Sequence, residues 1–300
     1  MDLGVPLQVL LAGLATGAVL GLVGLGFTLV AGTSRVLPLA HGDVAVAAVF
    51  TGVLAVLGRS PVAQDLAPGR SVLFALLVLA AGAALSGLIA LLVVRPYRDQ
   101  PLGWVAGAVA AGLLLRAVLG LALPGQGYAV PDPLHLDALS SDGLLHLPGG
   151  TTLPVRTLGV LALGIVVGVT AERLLVRGRF GRSLRAVADD PDAAALCGVD
   201  PARVLVLAFA TAGLLAGLAG MLDAPSHAVS VDDGVILGLE GIAAAVLGGL
   251  GSLRGALVGG LVLGIAQQVA VRAWGSQLQD VVPLAVLVVL LAARPQGLRR

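Results

Sequence analysis

Long apolar runs alternate with short polar segments along the chain. Six runs approach the ~20 residues that a membrane-spanning helix needs, at 7–32, 71–94, 102–123, 157–176, 204–222 and 255–271. Three shorter, glycine-flanked runs, at 44–58, 234–249 and 280–293, also suit half-helices or re-entrant segments. The pattern predicts an all-α, polytopic integral membrane protein with nine transmembrane helices, within a range of about 8 to 10.

Composition supports a membrane protein. Apolar residues make up 58% of the chain and charged residues 12%, whereas soluble domains contain about 45–50% and about 25%. The 43 glycines allow helices to approach closely in lipid. Small-residue spacing predicts packing seams, among them Gly13-Gly17-Gly21, Gly213-Gly217, Gly251-Gly255-Gly259 and Gly260-Gly264. We expect one transmembrane domain over residues 1–300.

The distribution of arginine predicts the topology. All 18 basic residues are Arg, and basic residues concentrate in cytoplasmic loops. The basic stretches hold Arg95 and Arg98; Arg177, Arg179, Arg182, Arg185 and Arg203; and Arg294, Arg299 and Arg300. The stretches 124–152 and 223–233 are acidic and predicted to be extracytoplasmic. Nine spans then place the C-terminus inside and the N-terminus outside, with Arg59 and Arg70 as exceptions in an outer loop.

Several kinds of site are disfavoured. A P-loop requires a Lys, and the chain contains none. The single cysteine, Cys197, rules out an intrachain disulfide or a C-x-x-C pair. The four histidines lack metal-ligand spacing, so no metal site is expected. A net charge of +1 gives no reason to expect nucleic-acid binding.

The polar segment 177–203 contains strong helix signals. Asp190-Pro191 is typical of an N-cap followed by the first helical residue, and Gly198 of the residue just past a helix end. Asp200-Pro201 predicts a second cap and restart. These signals predict a short helix over 191–197, either docking into a groove on a partner or acting as a linker on the membrane surface.

Ionisable residues within apolar runs suggest function, since burying a charge in lipid costs about 2.5–3.5 kcal/mol. Glu240 could line a translocation path or form an ion pair between helices. Arg116 could contribute to the path or snorkel to the membrane surface. His41, Gly42 and Asp43 could form a polar turn near the path, although Asp43 also suits a helix N-cap.

Four segments, in order, resemble bacterial ABC-importer permeases of the branched-chain amino acid type. They are LGFTLVAGTSRVLPLAHGDV with its Ala-His-Gly turn, GRSLRAVADDPDAAALCGVDPARV, AAAVLGGLGSLRGALVGGLVLG, and QDVVPLAVLVVLLAARPQGL. The second resembles that family's cytoplasmic coupling segment. The chain departs from the family's pattern at Pro38-Leu39, where Asn-Phe is usual, and at Arg254, where Pro is common. Glu240 stands where the amino-acid branch commonly has Lys and the sugar branch often has Glu.

The resemblance implies a division of labour among subunits. A solute-binding protein delivers solute outside, a second, longer permease completes the pathway, and two ATP-binding cassette ATPases drive it. This chain would have no catalytic site and no cofactor, since ATP binds to the partners. Coupling to the ATPase is assigned to Arg185, Asp190, Pro191, Ala194, Gly198 and Asp200. The path is assigned to His41, Gly42, Asp43, Arg116, Glu240, Gly248 and Gly249.

The expected solute is a branched-chain amino acid carried across the bacterial plasma membrane, with a sugar or a urea-like amide as the alternative. An ion-coupled secondary transporter should place acidic or His residues in several spans, and only Glu240 and Arg116 lie clearly inside. A membrane enzyme would need clustered catalytic residues, and a channel a repeated filter sequence. The sequence shows neither pattern.

Overall fold

The computed structural model describes residues 4–34, 37–58, 67–94, 96, 101–123, 127–135, 144–146 and 152–293. Its helices are α1 Gly4–Ser34, α2 His41–Val56, α3 Pro68–Ile89, α4 Pro101–Ala122, α5 Val155–Arg177, α6 Arg179–Asp189, α7 Pro191–Leu196, α8 Pro201–Asp223, α9 Asp233–Gly248, α10 Leu253–Trp274 and α11 Val281–Ala293. A π-helical segment, Ala90–Val94, extends α3. Single 3-10 turns occupy Ala224–Ser226 and Ser276–Leu278.

The apolar runs in the sequence correspond to these helices. Within the described ranges, six helices are long and apolar enough to cross a membrane: Pro6–Ser34, Pro68–Val94, Gly103–Ala122, Val155–Arg177, Pro201–Ser226 and Leu253–Trp274. The three shorter runs became α2, α9 and α11, of 16, 16 and 13 residues. At 1.5 Å per residue these helices measure about 20–24 Å, less than a ~30 Å hydrocarbon core. A multi-pass membrane protein is confirmed, and the count of nine spans stays a prediction.

Helix α1 lies at the centre of the bundle and packs against α5, α8, α9 and α10. Its middle is apolar on all sides and fully buried, as at Leu22, Val23 and Leu25, which is typical of a helix surrounded by other helices. The predicted seams Gly13-Gly17-Gly21 and Gly260-Gly264 join α1 to α10. A Cβ on Gly13 would lie 2.8 Å from the Ile265 Cα, and one on Gly17 would lie 2.6 Å from the Leu261 Cα. The two backbones are therefore in direct contact.

A second seam joins α3 to α8. A Cβ on Gly213 would collide with the carbonyl of Gly82, and one on Gly217 would lie 3.0 Å from the Val78 carbonyl oxygen. Gly251 does not belong to a seam, because a Cβ there would meet nothing within 4 Å. Its φ of +96° instead places it in the turn between α9 and α10.

A small antiparallel hairpin is an exception to the all-α prediction. Strand β1, Leu144–His146, pairs with β2, Thr152–Pro154, immediately before α5. An isolated bridge also joins Tyr128 to Val229, with N–H···O distances of 2.9 and 3.0 Å. The two loops predicted to share the outer side are thus bonded to one another. Asp137 and Asp142 of the outer loop lie outside the described residues.

The segment 177–203 contains one helix more than predicted. Helix α6 precedes the short helix α7 and places Gly181, Leu184 and Val187 on a buried face. A Cβ on Gly181 would overlap the carbonyl oxygen of Leu175, so α6 packs directly on the end of α5. The predicted short helix is present as α7, and it ends at Leu196 rather than at residue 197.

Arg70, one of the two exceptions to the predicted topology, is bonded to the end of α2. Its Nη2 donates to the carbonyl of Val56, the last residue of α2. A guanidinium at a helix C-terminus satisfies carbonyls that lack an intrahelical partner. Arg70 therefore has a structural role where it stands. Arg59, Arg95, Arg98, Arg294, Arg299 and Arg300 lie outside the described residues.

Candidate functional site

A cavity of about 780 Å³ lies between the start of α5, the end of α8 and the first half of α9. One wall is apolar and is formed by α1, α2 and α5: Ala12, Ala15, Val19, Leu20, Val46, Val49 and Val160. The lining also contains polar residues: Arg156, Asp223, Ser226, His227, Asp233, Glu240, Gln268, Gln279 and Asp280. The cavity therefore offers both polar and aliphatic side chains to the same solute.

Arg156 joins α5 to α8 at the cavity. Its Nη2 donates to the carbonyl oxygen of Leu222 at 2.7 Å, and its Nη1 donates to the Ser226 Oγ at 3.2 Å. Both acceptors are uncharged. Among the described residues, no carboxylate lies within ion-pair distance of Arg156, although its charge interacts with that of Asp223 at longer range.

Two aspartates beside Arg156 differ in how they are bonded. Asp233 accepts hydrogen bonds from the Ser230 N–H at 2.7 Å and from the Ser230 Oγ at 2.9 Å. Asp223 has His227 as a neighbour, with 3.9 Å between the His227 Nε2 and the Asp223 Oδ2. His227 lies at a similar distance, 3.8 Å, from Asp233. Across the described part of the chain, no group of three or more His, Cys, Asp or Glu could hold a metal ion.

Glu240 lies deeper in the cavity, one turn of helix beyond Ile236 and Leu237. These residues and Asp233 line the cavity together, as spacings of three and four residues allow on one helix face. The Glu240 carboxylate is buried and accepts a hydrogen bond of 2.6 Å from Gln267 Nε2 on α10. Within the described residues it forms no ion pair, so the predicted alternative of an interhelical ion pair finds no partner there.

Asp43 and Arg116, by contrast, pair with each other. Arg116 Nε donates to Asp43 Oδ1 at 2.8 Å, and Arg116 Nη2 donates to Oδ2 at 3.1 Å. The alternative interpretations, an N-cap for Asp43 and snorkelling for Arg116, were wrong, whereas their assignment to the path stays a prediction. Helix α2 starts at His41, and its N-cap, Ala40, makes no side-chain bond, so Asp43 is not the cap. Arg116 points inward to the buried carboxylate instead of snorkelling.

His41 and Gly42, the two residues before Asp43 in the chain, contact α1 and α9. The His41 ring packs edge-on against Phe27, with ring centroids 4.8 Å apart, and its Nε2 occupies the space beside Gly26. A Cβ on Gly42 would lie 2.6 Å from the Gly238 Cα. These residues hold α1, α2 and α9 together, and they are not among the residues that line the cavity.

Gly248 and Gly249 lie at the other end of α9. A Cβ on Gly248 would collide with the backbone of Gly255, and Gly249 adopts a φ of +89° in the turn that follows. The structure therefore places them in the α9–α10 contact. Of the seven predicted path residues, the structure places Glu240 alone on the cavity surface.

The predicted coupling residues cluster around α7. The Asp190 carboxylate accepts from the N–H groups of Asp192 and Ala193, and Asp200 caps α8 in the same way. Gly198 has a φ of +82°, as expected just past a helix end. Pro191 is the first residue of α7 and Ala194 faces inward, whereas Leu196 is 91% exposed. Arg185 donates to the Leu175 and Val176 carbonyls at 3.4 and 2.9 Å, at the end of α5.

The cavity and the α6–α7 segment lie at opposite ends of the same two helices. Helix α5 runs from Val155 to Arg177, and α8 runs back from Pro201 to Asp223; each has 23 residues. At 1.5 Å per residue each is about 34 Å long, enough to cross a bilayer. A polar cavity at one membrane face is thus connected by two continuous helices to an arginine-rich segment at the other.

Arg156 and Asp223 were not predicted as site residues. Both lie at the ends of predicted spans, where ionisable residues are common and carry little functional signal. Arg156 adjoins the arginine-free stretch 124–152, which is predicted to be an outer loop. An isolated Arg at the edge of that loop is the one feature of the sequence that could have pointed to Arg156. Their convergence depends on the pairing of α5 with α8, which the sequence pattern does not specify.

The chain is a multi-pass α-helical membrane protein with a partly polar cavity of about 780 Å³, which is the arrangement that a transport protein for a small polar solute requires. Residues 9–291 match the family described as branched-chain amino acid transport system / permease component. The chain belongs to this family. Its members are ABC transporter permease subunits and not enzymes, which confirms the expectation drawn from the sequence.

Individual relatives agree with the family. The chain is 27% identical to the high-affinity branched-chain amino acid transport system permease protein BraD of Pseudomonas aeruginosa, covering 97% of this chain and 95% of the relative. It is 27% identical to the permease protein LivH of Escherichia coli, covering 97% and 94%. The fructose import permease protein FrcC of Rhizobium meliloti is 33% identical over 47% of this chain and 42% of its own. No solved structure matches the chain.

Proposed function

We propose that this chain is the permease subunit through which an ABC importer moves branched-chain amino acids across the bacterial plasma membrane. The observation that carries the proposal is the connection of the cavity to the α6–α7 segment through α5 and α8. The curated relatives named for branched-chain amino acid transport, matched over 97% of this chain, support the solute.

In this proposal, residues 177–203 form the cytoplasmic coupling segment and residues 124–152 an extracytoplasmic loop, within a single domain of residues 1–300. The N-terminus lies outside and the C-terminus in the cytoplasm. The arginines of α6 support this orientation, since basic residues are retained on the cytoplasmic side. A solute-binding protein then docks over the cavity, where the Tyr128–Val229 bridge joins two outer loops.

ATP is bound by two partner ATPases, and the chain itself uses no cofactor. Closure of the ATPase pair would move α7, whose exposed Leu196 suits an apolar groove on the partner. Because Arg185 and Gly181 fix α6 to the end of α5, this movement would pass into α5, and through the Asp200 cap into α8. A second permease completes the pathway, and alternating access follows from rocking of the packed helices.

The test is purification of the tagged chain with its bound subunits, followed by reconstitution into liposomes. We expect a P-loop ATPase and a second permease to co-purify. Uptake of labelled leucine, isoleucine and valine should require both ATP on the ATPase side and the binding protein. A chain that purifies alone and moves solute along an ion gradient without ATP would overturn the proposal in favour of a secondary transporter.

A sugar is a second candidate solute. Carboxylates at Asp223, Asp233, Glu240 and Asp280 line the cavity, and carboxylate oxygens accept hydrogen bonds from hydroxyl groups. The partial match to a fructose import permease is consistent with this chemistry. Fructose uptake by the same liposomes, with no uptake of leucine, would favour this alternative.

A further inference from the structure

We propose that Arg156 and Asp223 form a binding site for the charged head of a zwitterionic amino acid inside the cavity. The proposal rests on the function proposed above. It adds the residues that would hold the solute within the permease itself, after release from the binding protein.

The two side chains are a guanidinium and a carboxyl group that lie on the same cavity without bonding to each other. Arg156 is hydrogen-bonded to Leu222 O and Ser226 Oγ, and within the described ranges it has no ion pair. Asp223 is within electrostatic range of Arg156 but makes no ion pair of 4.0 Å or less with it. Both residues line the cavity.

Asp223 is less tightly bonded than Asp233, because its neighbour His227 Nε2 lies 3.9 Å from its Oδ2. Asp233 already accepts two hydrogen bonds from Ser230. Glu240 lies seven residues beyond Asp233 on α9, which is about 10 Å at 1.5 Å per residue. The ammonium and carboxylate groups of an α-amino acid are attached to one carbon, so the groups that bind them must be neighbours. Arg156 and Asp223, at adjoining ends of α5 and α8, meet this requirement.

The aliphatic wall defines the other end of the solute. Val19, Leu20, Val46, Val49 and Val160 line the same cavity, and contact with apolar side chains favours a branched aliphatic group. Arginine binds carboxylates through paired, charge-assisted hydrogen bonds. The cavity thus has a cationic, an anionic and an aliphatic surface, which together match a branched-chain amino acid.

The experiment compares three ligands with three versions of the complete transporter in lipid nanodiscs, without the binding protein. The ligands are leucine, leucinamide, which lacks the carboxylate, and 4-methylpentanoic acid, which lacks the ammonium group. Saturation-transfer NMR measures weak binding of each to the wild-type complex, Arg156→Gln and Asp223→Asn. Arg173→Gln, an exposed arginine on the same helix, is the matched control.

We expect Arg156→Gln to weaken leucine binding about tenfold or more, the usual loss for a charged hydrogen bond, while changing leucinamide binding little. Asp223→Asn should weaken leucine binding similarly and leave 4-methylpentanoic acid little affected. Equal weakening of all three ligands by both variants would show a structural role only and overturn the assignment, as would unchanged leucine binding.

Failure of the proposed function can be distinguished from failure of the proposed binding site. If the wild-type transporter in liposomes does not import leucine at all, the solute assignment is wrong. If it imports leucine and the two variants bind leucine normally, the function stands and this site does not.

Discussion

Arg116 and Asp43, on helices 73 residues apart in sequence, form a two-point ion pair with N–O distances of 2.8 and 3.1 Å. The Asp43 side chain is 4% exposed and that of Arg116 is 27% exposed. The carboxylate fits against Gly112 of α4 and Gly234 of α9, where a Cβ would collide with it or lie 2.7 Å from it. The pair therefore fixes α2 between two other helices.

This asymmetry in exposure predicts unequal effects of neutralising each partner. Arg116→Gln leaves a buried carboxylate without its cation and should cost about 2–4 kcal/mol. Asp43→Asn leaves an arginine that can reach the surface and should cost less. The double variant should recover part of the loss. Thermal unfolding in detergent, followed by tryptophan fluorescence, measures all three; equal losses, or a double variant worse than Arg116→Gln alone, would contradict the argument.

A matched pair of glycines tests the α1–α10 seam. Gly17→Ala would place a Cβ 2.6 Å from the Leu261 Cα, a backbone atom that cannot rotate away. We expect a loss of about 1–3 kcal/mol from overpacking and a lower yield of folded protein. Gly32→Ala, on the same helix with nothing within 4 Å of the added atom, should be neutral or stabilising by up to about 1 kcal/mol. Similar effects for the two variants would remove the packing explanation.

The sequence predicted most of the fold because hydrophobic length and helix caps are local signals. Asp190, Gly198 and Asp200 have the roles that their spacing indicated. Asp43 was misread as a cap because its position near a helix start is equally compatible with a long-range partner. Helix α6 was not predicted, because its several arginines give it the polar composition of a loop. Its buried residues Gly181, Leu184 and Val187 nevertheless repeat at helical spacing.

Substitutions at Gly198 can distinguish the effect of backbone conformation from the effect of side-chain size. An added Cβ would meet nothing within 4 Å, but φ is +82°. Gly198→Val should therefore distort the α7–α8 connection and reduce both transport and transport-linked ATP hydrolysis severalfold. Gly198→Asn should retain most activity, since Asn tolerates left-handed conformation. Membrane insertion and thermal stability serve as controls for folding. Equal activity of Val, Asn and wild-type proteins would remove the coupling role of this turn.

A substitution at Glu240 tests whether the inner part of the cavity belongs to the translocation path. Glu240→Gln keeps an acceptor for Gln267, which donates at 2.6 Å, and replaces the carboxyl group that lines the cavity. We expect about tenfold slower solute uptake with stability unchanged within about 1 kcal/mol, because the hydrogen bond to Gln267 is kept while a carboxyl group that can bind solute is lost. Uptake by reconstituted transporter and unfolding in detergent measure the two quantities. A loss of stability without a loss of uptake would assign Glu240 a structural role.

Arg254 stands where permeases of this family commonly have Pro. In this chain the Arg254 side chain has a specific partner. Its Nε donates to Glu172 Oε1 at 2.6 Å, and the Glu172 side chain is 5% exposed. Position 254 is the second residue of α10, where the backbone accepts proline. Arg254→Pro should thus be harmful mainly because it leaves a buried carboxylate unpaired, at a cost of about 2–4 kcal/mol. Adding Glu172→Leu should restore most of the stability, since an apolar residue at this helix contact needs no partner. If the double variant unfolds as easily as Arg254→Pro alone, the cost lies in the backbone and not in the ion pair.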